Sequence, residues 1–312
     1  MAGFIAYILP TTLRMGTPIA FAAMGGVISQ KAGVNNIGIE GMMVIGSFMG
    51  VLGSYLTGSP YVGILLAMLG GAVMSLVHAF LSITVGAKQP ISSMAINLFS
   101  EGICGVLVGK IFNSAGTSSI VNNIPTTPLF EKIPLIGGFL SSLSPFVYFG
   151  LIIMAASALF MKYTRFGFHV YACGENPVMA ETAGINVHRI RYAAVIASGV
   201  LAGFGGAMLS IAQMNLYQDG LVAGRGYLAL GAVTVGRWTV AGSYLASMLF
   251  GFFDALQLYI QTIPSNPIPA DFVQMIPYLS IIVILALSSK NIKYFGVTAA
   301  GKPYTKYAKE NS

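Results

Sequence analysis

At 312 residues, with 55% hydrophobic and 8% charged side chains and a mean hydropathy of +0.78, the chain has too few charges to clothe a water-facing globule. Its net charge of +7 comes from cations placed between or after apolar runs rather than in one patch with interleaved aromatics, which excludes a nucleic-acid surface and leaves the lipid bilayer as solvent. Backbone inside a bilayer must satisfy its own hydrogen bonds, and the apolar runs here are continuous rather than alternating, so the fold expected is an all-α integral membrane protein.

In chain order, apolar stretches fall near residues 4–28, 38–57, 61–86, 91–112, 145–162, 191–213, 221–236, 239–262 and 272–289. They predict a polytopic bundle of about 8–10 transmembrane helices in a single transmembrane domain over residues 1–312. The first stretch holds Pro10, Arg14 and Pro18, so an interruption is expected there, with part of it lying along the interface. Next, Gly33 to Gly41 breaks the apolar context with Asn35 and Asn36. Glu40 then opens the following span, where a negative charge suits the helix dipole. A simple re-entry turn and a gating element are both compatible with this patch. The 113–144 stretch, rich in Pro, Gly and small polar residues, reads as an outside loop or a docking cap. The seventh stretch, 221–236, is short and Gly-rich and predicts a broken or incompletely spanning helix.

Between the fifth and sixth spans lies a polar loop, Gly174 to Asn186, that encodes one short helix. Asn176 is placed to cap it, Pro177 suits its first position, and Gly184 is the residue type favoured just beyond its end. Two turns cannot span a bilayer, and Lys162, Arg165, Arg189 and Arg191 flank it, which puts it on the cytoplasmic side. If 221–236 counts as a crossing, alternation from there places twelve of the 16 Lys and Arg inside, including Arg237 and the basic tail over residues 290–312, and leaves the amino terminus outside. The loop is an exposed handle for a soluble partner.

No phosphate-binding loop is present: Gly109-Lys110 runs on to Ile111, and Gly301-Lys302 to Pro303. The three histidines lack metal-ligand spacing, and Cys104 and Cys173 fall on opposite sides of a predicted span, so neither a metal site nor a disulfide is expected. Gly203-Phe204-Gly205-Gly206 lies within an apolar span and reads as close helix packing rather than a dinucleotide turn. No nucleophile, base and orienter come together, so no enzyme activity is expected. Ionisable groups within spans usually face a bundle interior or an aqueous path. Ser93, Asn97 and Glu101 share one helix face, and Asp254, Gln257 and Gln261 share another. Either stripe lines a passage or merely bonds helix to helix, with Phe99, Tyr217 and Phe253 near enough in sequence to stack on an aromatic solute.

The run Gly33 to Gly41, the loop Gly174 to Asn186 continuing through Val187-His188-Arg189-Ile190-Arg191, Gly224 to Leu230, Gly236-Arg237-Trp238 and the terminal Gly301-Lys302-Pro303-Tyr304 together resemble permease subunits of bacterial ATP-binding cassette (ABC) importers. Within them, the chain is most similar to nucleoside permeases that work with a basic-membrane-protein type binding lipoprotein. The likeness covers nearly the whole chain, with one departure at Thr239, where relatives often carry Asn-Pro. It implies that the cytoplasmic loop within residues 174–190 is a coupling helix seated on a separate ATPase subunit, through Glu175, Asn176, Pro177, Ala180, Glu181, Ala183 and Gly184. It also implies a second permease subunit, identical or different, and an extracytoplasmic binding lipoprotein as partners. ATP and magnesium belong to the ATPase, and this chain needs no cofactor. Asn97, Glu101, Asp254 and Gln257 are then candidates for the solute pathway. A sugar or branched-chain amino acid permease stays open as an alternative, as does an ion-coupled secondary transporter using Glu101 and Asp254.

Overall fold

The computed structural model describes residues 2–124, 143–263, 269–289, 297–302 and 304. Most of the loop expected at 113–144, and most of the tail expected at 290–312, lie outside the described residues.

Helix α1 (Ala2–Lys31) runs without a break through Pro10 and Pro18, contrary to the interruption the prolines predict. A proline withholds its N–H from the carbonyl four residues earlier. For Pro18 that carbonyl belongs to Arg14, and it accepts a hydrogen bond from Gln213 Nε2 at 2.7 Å. A donor from a neighbouring segment replaces the missing one, which is how membrane helices tolerate proline.

The chain continues as α2 (Ile39–Thr57), α3 (Pro60–Ala79, prolonged by a π-helical turn, Phe80–Thr84), α4 (Gln89–Phe112) and α5 (Pro145–Tyr163). Two short helices follow, α6 (Arg165–Glu175) and α7 (Pro177–Thr182). Then come α8 (Val187–Ala207, with a π-helical turn, Met208–Met214), α9 (Arg225–Val235), α10 (Val240–Gln261), α11 (Ala270–Gln274) and α12 (Ile276–Ser289). Among the described residues, 7 helical stretches are long and apolar enough to cross a bilayer: α2, α3, α4, α5, α8, α10, and α11 with α12. The protein is a multi-pass, all-α membrane protein. Helix α1, with 30 residues, is about 45 Å long, enough to reach across a bilayer, but with Arg14 and Lys31 it is less apolar than these seven. Helix α9, with 11 residues, is only about 16 Å long and reaches about halfway, as the Gly-rich 221–236 stretch predicts.

Helices α2 and α8 form the centre, each with 72% of its apolar window buried, against 22% for α5 and 11% for the α11–α12 stretch. Small residues let the central helices touch backbone to backbone. A Cβ on Gly203 would lie 2.3 Å from the Ala67 carbonyl oxygen, and one on Gly206 would lie 2.2 Å from that of Met43. The Gly203–Gly206 run is therefore the three-way seam of α2, α3 and α8. Around it, the sides of α3, α4, α5 and α12 expose Leu65, Leu69, Leu98, Ile152 and Ile282, the apolar dress of a lipid-facing surface.

Candidate functional site

Two irregular stretches enter the bundle, and both are held by side chains from neighbouring helices. Between α1 and α2, residues 32–38 leave helical geometry with Ala32, Val34 and Asn36 fully buried. Their backbone groups need partners at that depth. Helix α4 supplies them at a four-residue spacing: Gln89 Oε1 accepts from Asn35 N–H (2.7 Å), Ser93 Oγ from Ile37 N–H (3.2 Å) and Asn97 Oδ1 from Gly41 N–H (2.8 Å). On the far side, Asn36 Nδ2 donates to Ser198 Oγ on α8 at 3.1 Å. The polar stripe on α4 is thus largely a scaffold for the Gly33–Gly41 patch.

The second irregular stretch is 215–224, between α8 and the half-helix α9. It carries left-handed residues at Asn215, Gly220, Ala223 and Gly224. Its inner end meets Glu40. The buried Glu40 carboxylate accepts from Gly224 N–H (2.8 Å) and from Gly226 N–H (2.6 Å), satisfying the free donors at the start of α9. Glu40 therefore caps a helix other than its own. Glu40 lies in the first turn of α2, as its place in the sequence predicts, and its carboxylate also serves the start of α9, which sequence spacing alone does not reveal.

Two cavities flank this stretch, and Asp219, Gly220 and Leu221 line both. The first, about 430 Å³, is walled by Glu40, Glu101, Asp219, Tyr217 and Tyr227, with no Lys or Arg among its lining residues. The second, about 570 Å³, is walled by Arg14, Gln213, Gln218, Arg225, Asp254, Gln257 and Gln274. Both volumes suit a small organic solute. In the second, Arg225 Nε and Asp254 Oδ2 form an ion pair at 3.7 Å, and among the described residues neither atom has a hydrogen-bond partner.

Of the four pathway candidates, Glu101 lines the first cavity, and Asp254 and Gln257 line the second. Asn97 lines neither. Its Nδ2 donates to Tyr227 Oη at 3.0 Å, so it stands behind the first cavity and holds one of its aromatics. Arg225, Asp219 and Tyr227 are among the lining residues that sequence reasoning missed. Arg225 sits in a short Gly-rich stretch that says little of its surroundings.

At the opposite end of α1 and at the start of α8 lies the short-helix region. Asn176 Oδ1 accepts from Met179 N–H at 3.1 Å and caps α7, with Pro177 in the first turn. The helix ends in a Schellman turn: Ile185 N–H donates to the Ala180 carbonyl (3.0 Å) and Gly184 N–H to that of Glu181 (2.8 Å), with Gly184 at φ +82. Ala180 is buried, whereas Val178 and Met179 stand 60% and 69% exposed. Glu175 closes α6, and Ala183 follows α7 as its C-cap. All seven residues inferred for coupling thus share one compact corner. Cys173, behind it, is fully buried, and burial pushes its thiol up to about 11. Further along, Thr239, the departure noted above, caps α10 by accepting from Gly242 N–H at 3.1 Å. A cap serves there in place of Asn-Pro.

Residues 8–285 match the family described as the permease component of the branched-chain amino acid transport system. The chain belongs to this permease family. Relatives of the permease include the nucleoside ABC transporter permease protein NupC of Lactococcus lactis subsp. cremoris, 36% identical over 90% of this chain and 91% of that protein. The guanosine ABC transporter permease protein NupQ of Bacillus subtilis is 34% identical over 97% of each chain. A Haloferax volcanii protein, provisionally named a glucose ABC transporter permease, is 32% identical over 83% of this chain and 79% of its own. A solved inward-facing ABC transporter of metal-chelate type shares the fold, with a TM-score of 0.51 and 17% identity over 89% of this permease and 85% of that chain.

Proposed function

We propose that this permease is the membrane-spanning subunit of a bacterial ABC importer for nucleosides of the guanosine and uridine type. An extracytoplasmic binding lipoprotein delivers the solute, and a separate ATPase subunit, holding ATP and magnesium, drives the cycle. The observation that carries the reading is near full-length similarity above 30% to two permeases named for nucleoside and guanosine transport. The cavities support it chemically. Carboxylates and amides pair with ribose hydroxyls and base N–H groups, the half-exposed Tyr227 offers a ring face for a base, and the first cavity's acidic walls disfavour phosphorylated solutes.

In this reading Asn97, Glu101, Asp254 and Gln257 serve the pathway, with Asn97 acting through Tyr227. The capped helix α7 seats on the ATPase, on the cytoplasmic side, with the amino terminus outside. A second permease subunit closes the passage. ATP-driven movement of α7 tilts the spans and exposes the cavities to one side and then the other. An ion-coupled transporter loses ground because Asp254 faces Arg225 instead of standing as a lone titrating acid.

A sugar importer is the second reading, favoured by the Haloferax relative and by the hydroxyl-pairing groups. Tracer uptake of guanosine into cells expressing the full complex, competed by uridine, glucose and leucine, separates these. Competition by uridine but not by glucose or leucine is expected, and competition by glucose alone overturns the nucleoside assignment. Asp254→Asn is expected to reduce uptake at normal expression. Unaltered uptake would return the Arg225–Asp254 pair to packing.

A further inference from the structure

Gly301, Lys302 and Tyr304 of the terminal run line neither solute cavity, yet residues 297–302 and 304 touch α6, α7, α8 and the end of α1 around the short helix. Ala299 N–H donates to the Gly174 carbonyl at the end of α6 (3.0 Å), and Gly301 N–H donates to the Gly33 carbonyl just past α1 (3.2 Å). Thr298 Oγ1 donates to Glu175 Oε2 at 3.1 Å, and the Tyr304 hydroxyl donates to the Glu181 carboxylate on α7. From α8, Arg191 Nη1 donates to the Lys302 carbonyl at 3.4 Å, and its guanidinium lies 5.7 Å from the Tyr304 ring centroid. The His188 ring packs on the same tyrosine. Val297 and Tyr304 are buried, and Gly174 is so tightly held that a Cβ would come 2.1 Å from the Lys31 carbonyl oxygen.

Helix α7 has little of its own to hold it. It is six residues long, and Ala180 is its one buried residue. A push on so small an element flexes its loop unless something ties it to the spans. Glu175, just before it, and Glu181, within its last turn, both bond to hydroxyls of the terminal segment, and that segment is bonded in turn to the end of α1 and the start of α8. We propose that residues 297–302 and 304 form a yoke that makes α7 move as one body with α1 and α8, and that Tyr304, through Glu181, is its positioning residue. This rests on the reading of α7 as the ATPase-contacting helix. In mechanical terms, the yoke converts displacement of α7 into tilt of the helices that carry the two irregular stretches.

The test uses the complete importer in proteoliposomes and measures solute moved per ATP hydrolysed, ATPase co-purification and thermal stability. Tyr304→Phe keeps the ring against Arg191 and His188 but removes the bond to Glu181. It is expected to lower solute per ATP by about fivefold, the population shift that corresponds to about 1 kcal/mol. Glu181→Ala should do the same, the double variant should be no worse than either alone, and Glu181→Gln should restore the ratio, because its amide oxygen still accepts. An unchanged ratio in Tyr304→Phe, additive losses in the double variant, or a loss of thermal stability with the ratio intact each overturns the yoke. Gly184→Val keeps the two hypotheses apart, since it strains the turn that ends α7. If ATPase co-purification survives it, the reading of α7 as the ATPase contact fails, whereas the yoke fails on Tyr304→Phe.

Discussion

Glu40 is a carboxylate consumed by backbone. Two charge-assisted bonds from Gly224 and Gly226 occupy it, so its charge is matched by the donor end of α9 rather than by a lysine or arginine at hydrogen-bond distance. Glu40→Gln keeps the shape but replaces one acceptor by an amide N–H, which leaves a buried donor unpaired and sets two donors face to face. A loss of about 1–3 kcal/mol in stability is expected, read as a lower unfolding midpoint in detergent. An unshifted midpoint would show that the α9 start is satisfied some other way. Cys173 makes a different prediction. Its thiol, ordinarily near 9.0, is raised to about 11 by burial, so the folded state favours the protonated form. The contribution of this group to stability is complete below about 9 and is lost as pH rises toward about 11. Alkylation of Cys173 in the folded protein should therefore stay slow at pH 8 and rise only above that window, whereas rapid labelling at pH 8 contradicts its burial. The residue scale is also where sequence reading fell short. Asn97 and Ser93 announced a polar stripe, but whether the stripe faced solute or backbone depended on the non-helical 32–38 stretch and the start of α2 opposite it.

Among the elements, the short helix was legible to the residue: Asn176 caps it, Pro177 starts it and Gly184 ends it, all through bonds within ten residues of chain. Local chemistry sufficed because a two-turn helix has hardly any other support. The continuity of α1 was not legible, because the donor that rescues the Arg14 carbonyl comes from Gln213, far along the chain. Where α2, α3 and α8 converge, the small residues are obligatory. Gly203→Ala inserts a methyl 2.3 Å from the Ala67 carbonyl, and the helices must part to take it. Overpacking of this kind costs about 1–3 kcal/mol. A drop in folded yield and thermal midpoint is expected, and wild-type behaviour would show that the seam can open without penalty.

For the molecule as a whole, the short helix, the ends of α1 and α6, the start of α8 and the terminal yoke form one end of the bundle, while the two cavities sit along the 215–224 stretch within it. The proposed orientation puts that end in the cytoplasm. A Met179→Cys variant tests it, because Met179 is 69% exposed whereas the native Cys173 is buried. Membrane-impermeant maleimide should label that variant in inverted vesicles and not in intact cells, and labelling in intact cells reverses the topology.

The amino-acid sequence by itself determined that this protein lives in lipid, crosses it as a helical bundle with one half-length segment near 221–236, and presents a capped short helix among cations. Hydropathy, proline and glycine placement, and capping all act within a few residues of chain, so they can be read in order. Only the tertiary structure decided that Glu40 caps α9, that Arg225 pairs with Asp254 in the wall of a cavity, and that Tyr304 grips Glu181. Each of these pairs side chains or backbone at least 29 residues apart, in a medium where a polar group must find a partner inside the protein, and only packing chooses which one.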